Sequence, residues 1–385
     1  MLSLVLALSL LSAQADTPWA AKIDGATITI DEFNTLYYAR NMNAGGVTRD
    51  EVDAMAKDPA ETEKNPFLDR SFFLDRLIRQ RVVYAQAEKE GVTKGEEYRL
   101  RIDVQRDSLL NAYYLRAKLG ESMKVSLKEI ADVYAENAAQ FDGTSPFEAM
   151  NYIEKNLAQK KQREVLGEFI GRLREESGIG KNRDLLTKLA DPDPAKRPSS
   201  GWIAKIDGKE IPVEEFSAIY YAYLTDQYAP ASRSEIDAYA ADPRMAANNP
   251  LLDRERFLDE IVNQRLIRAK AIKDGFVVTA EMNAEIRSQR ESGMMLQYAQ
   301  FRFGKDVEPT SAEIDAYYEQ NREQLSALPA DQAETYIRLK LRSMKLSAKI
   351  DEAVDALVKA DVIKKNPALT SSPAEGADGE DKEKK

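Results

Sequence analysis

The side chains able to do chemistry in this chain are almost all carboxylates, because the sequence contains no cysteine and no histidine. Without them, thiolate and imidazole catalysis and the usual zinc ligands are excluded. Asp and Glu total 65, and in a chain that is 31% charged they are expected mainly on solvated helix faces. The sequence therefore predicts a binding protein without cofactor or metal, and an enzyme working through two carboxylates, such as a glycosidase, is only a third hypothesis.

Aromatic and methionine side chains are the candidate binding residues, since they accommodate varied apolar partners. A first set combines a methionine-rich cluster with an apolar set from the first half of the chain: Met294, Met295, Tyr298, Phe301, Leu109, Leu110, Tyr113 and Tyr114. A second set consists of two tyrosine pairs: Tyr37, Tyr38, Tyr220 and Tyr221. The sequence favours a core role for the tyrosine pairs, because aromatic stripes at helical spacing usually face the interior, and leaves the first set open between groove and core.

Two arginines occupy otherwise apolar helix faces and need acidic partners. Arg81 and Arg265 lie among leucine, isoleucine and valine residues at equivalent positions of two similar segments. A guanidinium in such a place is usually neutralised by a carboxylate, and Asp75 and Asp259 are near along the same helix faces. The sequence predicts buried structural ion pairs rather than ligand clamps.

The recurrence of these residues reflects a two-fold repeat. Trp19-Ala-Ala-Lys-Ile-Asp-Gly25 returns 183 positions later as Trp202-Ile-Ala-Lys-Ile-Asp-Gly208, and Asn65-Pro-Phe-Leu-Asp-Arg70 returns 184 positions later as Asn249-Pro-Leu-Leu-Asp-Arg254. A repeat of this length exceeds a solenoid unit and indicates two copies of one domain. We predict domains at 16–179 and 202–365, joined by a proline- and serine-containing linker at 180–201.

Each copy is predicted to be mainly α with a small β element. Asp24-Gly25 and Asp207-Gly208, between β-prone residues, predict a type I′ hairpin at the start of each copy. Apolar residues at helical spacing predict a helix that ends at Gly91 in the first copy and at Gly275 in the second. Further helices and a short last strand follow, so we expect a helical bundle whose β element joins the first hairpin to the last strand of the same copy.

The N-terminal segment suggests an exported protein. Residues 2–11 are apolar and Ala13-Gln14-Ala15 resembles a signal-peptidase site, so residues 1–15 are predicted to be a signal peptide. We expect a periplasmic or secreted product without a stable membrane span after its removal. Residues 366–385 are polar and predicted to be disordered. A net charge of −10 argues against a nucleic-acid partner.

The helix and its terminal glycine carry a resemblance to a known family. Phe73 to Val92, FLDRLIRQRVVYAQAEKEGV, is similar to the corresponding signature of SurA/PrsA-type periplasmic foldases. The matching positions are Leu77, Ile78, Gln80, Ala87 and Gly91, and in the second copy Ile261, Val262, Gln264, Ala271 and Gly275. The resemblance implies a duplicated chaperone domain. Its prolyl isomerase domain is missing, because only residues 142–156 occupy the insertion point and the chain lacks the histidines that such a site uses.

The resemblance and the composition together give the expected function. We expect an ATP-independent holdase for unfolded or nascent envelope proteins, without prolyl isomerase activity, and a homodimer is compatible with the sequence. The alternative is a non-catalytic envelope scaffold or dimerisation protein with one specific partner, whose exposed apolar surface would be a single flat patch.

Overall fold

The computed structural model describes residues 18–23, 26–42, 47–228, 231–326, 328–360 and 363–370. The described chain is mainly α, as predicted. The α-helices are α1 Ile30–Met42, α2 Arg49–Met55, α3 Pro59–Lys64, α4 Arg70–Lys89, α5 Glu96–Met123, α6 Leu127–Glu136, α7 Pro146–Glu176, α8 Arg183–Lys188, α9 Val213–Gln227, α10 Arg233–Ala241, α11 Pro243–Asn248, α12 Arg254–Lys273, α13 Ala280–Phe303, α14 Ser311–Gln320, α15 Arg322–Leu325, α16 Ala330–Ala360 and α17 Pro367–Thr370. The strands are β1 Trp19–Ile23, β2 Ala26–Thr29, β3 Ile179–Lys181, β4 Trp202–Ile206, β5 Lys209–Pro212 and β6 Lys364–Lys365. In these ranges, no helix combines the length and the apolar character that crossing a membrane requires.

The chain divides into two compact units that cut across the sequence repeat. Unit 1 contains the described residues up to 94 together with those from 279 onward, and unit 2 contains residues 95–278. Each unit therefore joins the first half of one copy to the second half of the other. The predicted domains 16–179 and 202–365 do not coincide with these units, because the second half of each copy packs with the first half of the opposite copy.

Strand pairing shows the same exchange. In unit 1 the β1–β2 hairpin pairs with β6 from the end of the second copy, and in unit 2 the β4–β5 hairpin pairs with β3 from the end of the first copy. The predicted three-stranded element is thus present twice, but its last strand comes from the other copy. Asp207 and Gly208 have φ angles of 48° and 79°, which confirms the turn predicted there. The turn predicted at Asp24-Gly25 lies outside the described residues.

The predicted linker 180–201 is an integral part of unit 2. It contains the end of β3, helix α8 and a 3-10 turn at Pro194–Lys196. Leu186 and Leu189 are buried in the core of unit 2. The guanidinium of Arg197 donates to Asp237 at 2.6 Å and to the Tyr221 hydroxyl at 2.9 Å. The prolines and serines that suggested a free linker instead shape a packed connection between β3 and β4.

An aromatic centre occurs in both units and explains why a buried tyrosine recurs in the two copies. Helix α1 begins at Ile30, where the Glu32 amide donates to the Thr29 hydroxyl at 3.1 Å. It buries Phe33 and Tyr37 against Phe73 of α4, with ring centroids 5.5 to 5.8 Å apart. The matching rings of unit 2 are Phe216, Tyr220 and Phe257. The repeated sequence therefore gives both units the same aromatic core packing.

The C-terminal end of the described chain is anchored in unit 1. The Asn366 amide donates to the Ala20 carbonyl at 2.9 Å, and its side chain donates to the Trp19 carbonyl at 2.9 Å. Helix α17 follows immediately. The disorder predicted for 366–385 is wrong for residues 366–370, because the amide side chain of Asn366 ties them to β1. Residues 371–385 and the predicted signal peptide at 1–15 lie outside the described residues.

A helical arm occurs in each unit and is built alike in both. Helix α6 packs against α7 in unit 2, and α14 packs against α16 in unit 1. Ser126 and Thr310 begin α6 and α14 with capping boxes. Lys161 binds Glu129 at 2.8 Å, and Lys345 binds Glu313 at 2.7 Å.

Candidate functional site

A groove of about 770 Å³ opens in unit 2 between α5, α9 and α12. Such a volume is typical of sites that hold ligands. Its apolar lining consists of Leu100, Val104, Ile206, Ile219, Tyr223, Leu251, Phe257, Ile261, Ala269 and Ile272. All of these residues belong to unit 2, so the groove is a feature of one compact unit.

Helix α12 forms the long wall of the groove. Phe257, Ile261, Gln264, Arg268 and Ile272 follow one another at steps of three or four residues, which places them on one helix face. The wall extends over fifteen residue steps, or about 22 Å at the rise of an α-helix. It begins just after the N-cap Asp253, whose carboxylate accepts from the Arg256 amide at 2.8 Å. The lining residues of α12 are therefore fixed by regular helix geometry.

The groove combines a buried floor with exposed apolar edges. Ile219, Phe257 and Ile261 are buried, whereas Tyr223 is 43% exposed and Ile272 is 63% exposed. Exposed large apolar side chains that gather around a groove indicate a contact surface more strongly than isolated ones. Tyr223 and Ile272 are thus the lining residues most directly available to a partner.

Three arginines of the groove pair with carboxylates of its lining. Arg265 binds Glu215, Arg268 lies 3.6 Å from Asp107, and Arg106 lies 3.0 Å from Asp103. The neutral polar lining is bonded too, because Gln264 donates to Glu260 at 2.7 Å and accepts from the Asn111 side chain at 2.7 Å. These pairs leave apolar contact as the main interaction that the groove offers.

A clamp fixes helix α5 against the end of α12. Tyr114 donates to Asp274 at 2.8 Å and Lys118 binds the same carboxylate at 3.1 Å. Hydrogen bonds from Lys270, Tyr114 and Lys118 lower the pKa of Asp274 below its usual range. Burial, followed by the hydrogen bond to Asp274, raises the pKa of Tyr114. The α5 wall of the groove is held in place by this ionised carboxylate.

The methionine-rich cluster does not form a groove. Met294 is fully buried, Met295 is partly buried, and Tyr298 is buried with its hydroxyl donating to Glu90 at 2.9 Å. Burial raises the pKa of Tyr298 to about 12. Phe301 is the single exposed member, on α13 of unit 1. The structure corrects the groove interpretation of this cluster, because one face of α13 supplies Met294 and Tyr298 to the interior.

The matching residues of the first copy are likewise interior. Leu110 and Tyr114 are buried, and Leu109 and Tyr113 are partly buried on α5 of unit 2. None of these four lines the groove, although α5 forms one of its walls. The periodicity that made them candidates places Leu110 and Tyr114 on the core side of α5 instead.

The tyrosine pairs are structural, as the sequence favours. Tyr37 and Tyr220 are buried and donate to the Leu68 and Leu252 carbonyls, each at 2.7 Å. Burial raises the pKa of both hydroxyls to about 12. Tyr38 donates to Asp53 at 2.9 Å, and Tyr221 donates to Asp237 at 2.7 Å. These equivalent hydrogen bonds place both pairs in the framework and not in the groove.

Sequence reasoning did not identify four lining residues at which the two copies differ, namely Leu100, Val104, Tyr223 and Ile272. Other lining residues are the same in both copies, such as Phe257 and Phe73 or Gln264 and Gln80. In the gapless register of the repeat, Leu100 and Val104 on α5 correspond to Ala284 and Ser288 on α13. Tyr223 and Ile272 correspond in the same way to Arg40 and Glu88. The sequence signal for these four residues was the difference between the two copies. Core positions keep the same kind of residue in both copies, whereas surface positions can differ between them.

At the equivalent place in unit 1, the helices close on a buried ion network. Arg81 of α4 binds Glu32 of α1 at 2.8 Å and Glu291 of α13 at 2.9 Å, and all three side chains are largely buried. Burial alone would lower the pKa of Arg81, but the Glu291 and Glu32 carboxylates more than offset it and raise the pKa. Burial raises the pKa of Glu291, and the nearby charge of Arg81 opposes this rise. The prediction of a buried ion pair is confirmed for Arg81.

Neither arginine pairs with the aspartate noted on its own helix. Asp75 pairs with Lys365 of β6, and Asp259 pairs with Arg174 at 2.5 Å and Lys181 at 2.8 Å. Asp75 on α4 thereby contacts β6, and Asp259 on α12 contacts α7 and β3. In each case the contacted element comes from the other copy. Arg265 is about one third exposed beside the groove, so its pair with Glu215 is not buried as that of Arg81 is.

Over the described ranges, no group of three or more acidic side chains is arranged to hold a metal ion. Comparison of the chain with protein-family models, with curated proteins and with solved structures finds no match. The groove, the ion pairs and the sequence patterns are consequently the basis for inferring function.

Proposed function

We propose that this protein is an exported, ATP-independent holdase that binds apolar segments of unfolded or nascent envelope polypeptides. The observation that carries the proposal is the groove of unit 2, with its buried apolar floor and its exposed Tyr223 and Ile272. Transient burial of a client's apolar side chains there would keep the client from aggregating. The sequence resemblance to SurA/PrsA-type foldases supports the same role, and the apolar N-terminal segment supports a periplasmic or secreted location.

The test is light scattering of a chemically unfolded model client, with and without the full chain at stoichiometric ratios and without ATP. We expect the wild-type chain to suppress aggregation. The double variant Tyr223→Gln with Ile272→Gln should lose most of the suppression, because both side chains present apolar surface at the groove edge.

A matched control is provided by exposed apolar residues of the same unit that do not line the groove. Leu127 is 85% exposed and Val277 is 75% exposed, so Leu127→Gln with Val277→Gln removes at least as much exposed apolar surface outside the groove. Equal loss of suppression in the two double variants would show that general hydrophobicity, and not the groove, holds the client. No suppression by the wild-type chain would contradict the holdase function itself.

A scaffold that binds one fixed envelope partner is the second candidate. It would expose one flat apolar patch, whereas the site in unit 2 is concave, which supports the holdase. Prolyl isomerase activity is not part of the proposal, because the chain has no histidine and no inserted isomerase domain. Measurable acceleration of prolyl isomerisation by the purified chain would contradict this part.

A further inference from the structure

We infer that the segment recognised by the groove is an amphipathic α-helix with a basic polar face, and not an extended strand. The inference rests on the proposed function and names the class of client that this one site accepts. The groove offers few hydrogen-bonding partners to the main chain of a bound segment.

The walls of the groove have almost no free main-chain groups. They are α5, α9 and α12, whose backbone N–H and C=O groups are bonded within each helix except at the ends. An extended segment buried between such walls would leave its own N–H and C=O groups without partners. Each unpaired buried group costs about 1–3 kcal/mol, so extended occupants are disfavoured.

The β4–β5 hairpin does not supply a free strand edge to the groove. It contributes only Ile206, Asp207 and Lys209, at and beside its turn. Asp207 is already bound to Gly178, since its amide donates to the Gly178 carbonyl at 3.0 Å and its carboxylate accepts from the Gly178 amide at 2.8 Å. Ile206 and Lys209 are register partners of one another. Addition of a client strand is therefore not favoured here.

The polar side chains of the groove do not replace the missing main-chain partners. Arg265 is held by Glu215, Arg268 by Asp107, and Gln264 by Glu260 and Asn111. Breaking these pairs to bind an extended main chain would offset much of the gain. A helix satisfies its own backbone and requires only apolar contact, which is what the groove provides.

The dimensions of the groove agree with a helical occupant. The α12 wall spans about 22 Å, which accepts an apolar helix face of about fifteen residues. Tyr223 and Ile272 stand exposed on the lining of this same groove. The groove is lined by five carboxylates, of Asp103, Asp107, Asp207, Glu215 and Glu260, against four cations, and the whole chain carries a net charge of −10. Both favour a helix whose solvent-facing side is basic over an acidic one.

The experiment compares three fluorescently labelled synthetic peptides of about eighteen residues by anisotropy with the full chain. The first places leucine and lysine at helical period, the second has the same composition in strict alternation, and the third is the helical pattern with glutamate for lysine. We expect the first peptide to bind at least tenfold more tightly than either of the others. Tyr223→Gln with Ile272→Gln should weaken its binding at least tenfold, and Leu127→Gln with Val277→Gln should leave it unchanged.

Several outcomes would overturn the inference while leaving the holdase intact. Equal or tighter groove-dependent binding of the alternating peptide would show that the client is extended. Suppressed client aggregation without groove-dependent binding of any peptide would place the client elsewhere. A dimer of the wild-type chain that Tyr223→Gln and Ile272→Gln convert to monomer would make a second copy the occupant. Failure of aggregation suppression together with specific helix binding would instead contradict only the proposed function.

Discussion

The two units use equivalent elements to opposite ends. Unit 1 closes α4, α1 and α13 around the buried Arg81 network, while unit 2 keeps a groove between α12, α9 and α5. The corresponding arginine of unit 2, Arg265, remains partly exposed at that groove. A duplicated fold can therefore preserve its framework while one unit closes and the other keeps a groove.

Side-chain size on one helix explains the difference. Helix α13 presents Ala284 and Ser288 where α5 presents Leu100 and Val104. Small residues allow α13 to pack close to its neighbours, and Ala284 is buried in the core of unit 1. Leu100 and Val104 are larger and line the groove as partly buried residues.

The largest effect is expected from cutting the chain between its two copies. A protease site replacing residues 192–196, which are exposed, divides the protein into two fragments. Because each unit contains parts of both fragments, we expect the cut chain to elute as a single species of unchanged size. Size-exclusion chromatography in native buffer and in denaturant gives the measurement.

Separation of the fragments in native buffer would contradict the exchange of halves between the copies. It would support instead two self-contained domains at the predicted boundaries. Persistence of one native species that splits only in denaturant confirms that each copy completes the other.

A smaller and local effect is expected from the paired arginines. Arg81→Met leaves Glu32 and Glu291 buried without their cation and should destabilise unit 1 by about 3–5 kcal/mol. Arg265→Met removes a partly exposed pair and should change the stability of unit 2 by about 0–1 kcal/mol. The difference between the two losses of stability measures how much more unit 1 depends on its arginine than unit 2 does.

The two tryptophans allow each unit to be followed separately. Trp19 lies in β1 of unit 1 and Trp202 lies in β4 of unit 2, so Trp202→Phe and Trp19→Phe each leave a reporter in one unit. Urea unfolding followed by tryptophan fluorescence then gives the free energy for each unit. Equal losses for the two arginine variants would show that the groove does not expose the Arg265 pair.

The smallest effect concerns the arms, where the units should behave alike. Hydrogen bonds from Lys161 and Ser126 lower the pKa of Glu129 from 4.5 to about 2, and Lys345 and Thr310 do the same for Glu313. A lowered carboxyl pKa contributes stability above the unfolded value, which is lost as the pH falls through the folded value. We expect both arms to loosen between pH 4.5 and about 2.

Hydrogen exchange of α6 and α14, corrected for the intrinsic rate, measures this loosening. Glu129→Gln should abolish the pH dependence in α6 alone, and Glu313→Gln should abolish it in α14 alone. Unequal behaviour of the two wild-type arms would mean that the specialisation of unit 2 extends beyond the groove.

Much of the secondary structure was predictable because it depends on local signals. The Asp207-Gly208 turn, the helix ending before Gly275 and the start of α6 after Ser126 follow from turn and cap chemistry. The buried role of Arg81 was also predictable, since a guanidinium on an apolar face requires a carboxylate. Its partners Glu32 and Glu291 were not, because both come from other helices far along the chain.

The residues that line the candidate groove were not identified from the sequence, for a physical reason. Aromatic and methionine side chains that recur in both copies, such as Tyr37 and Tyr220, recur because the core requires them. The groove depends on Tyr223 and Ile272, which have no apolar equivalent in the first copy. Periodicity identifies a buried face but does not distinguish the core from a groove.

The order of the residues is enough to predict a mainly α chain, its two-fold repeat, and the kinds of element that meet in each unit. Which copy supplies each partner became known from the packed structure. The β3 and β6 strands follow equivalent helices and pair with nearly identical hairpins, so pairing within a copy and pairing between copies present the same local chemistry. Such a choice depends on how the whole chain packs, and the groove likewise depends on the spacing between helices that packing sets.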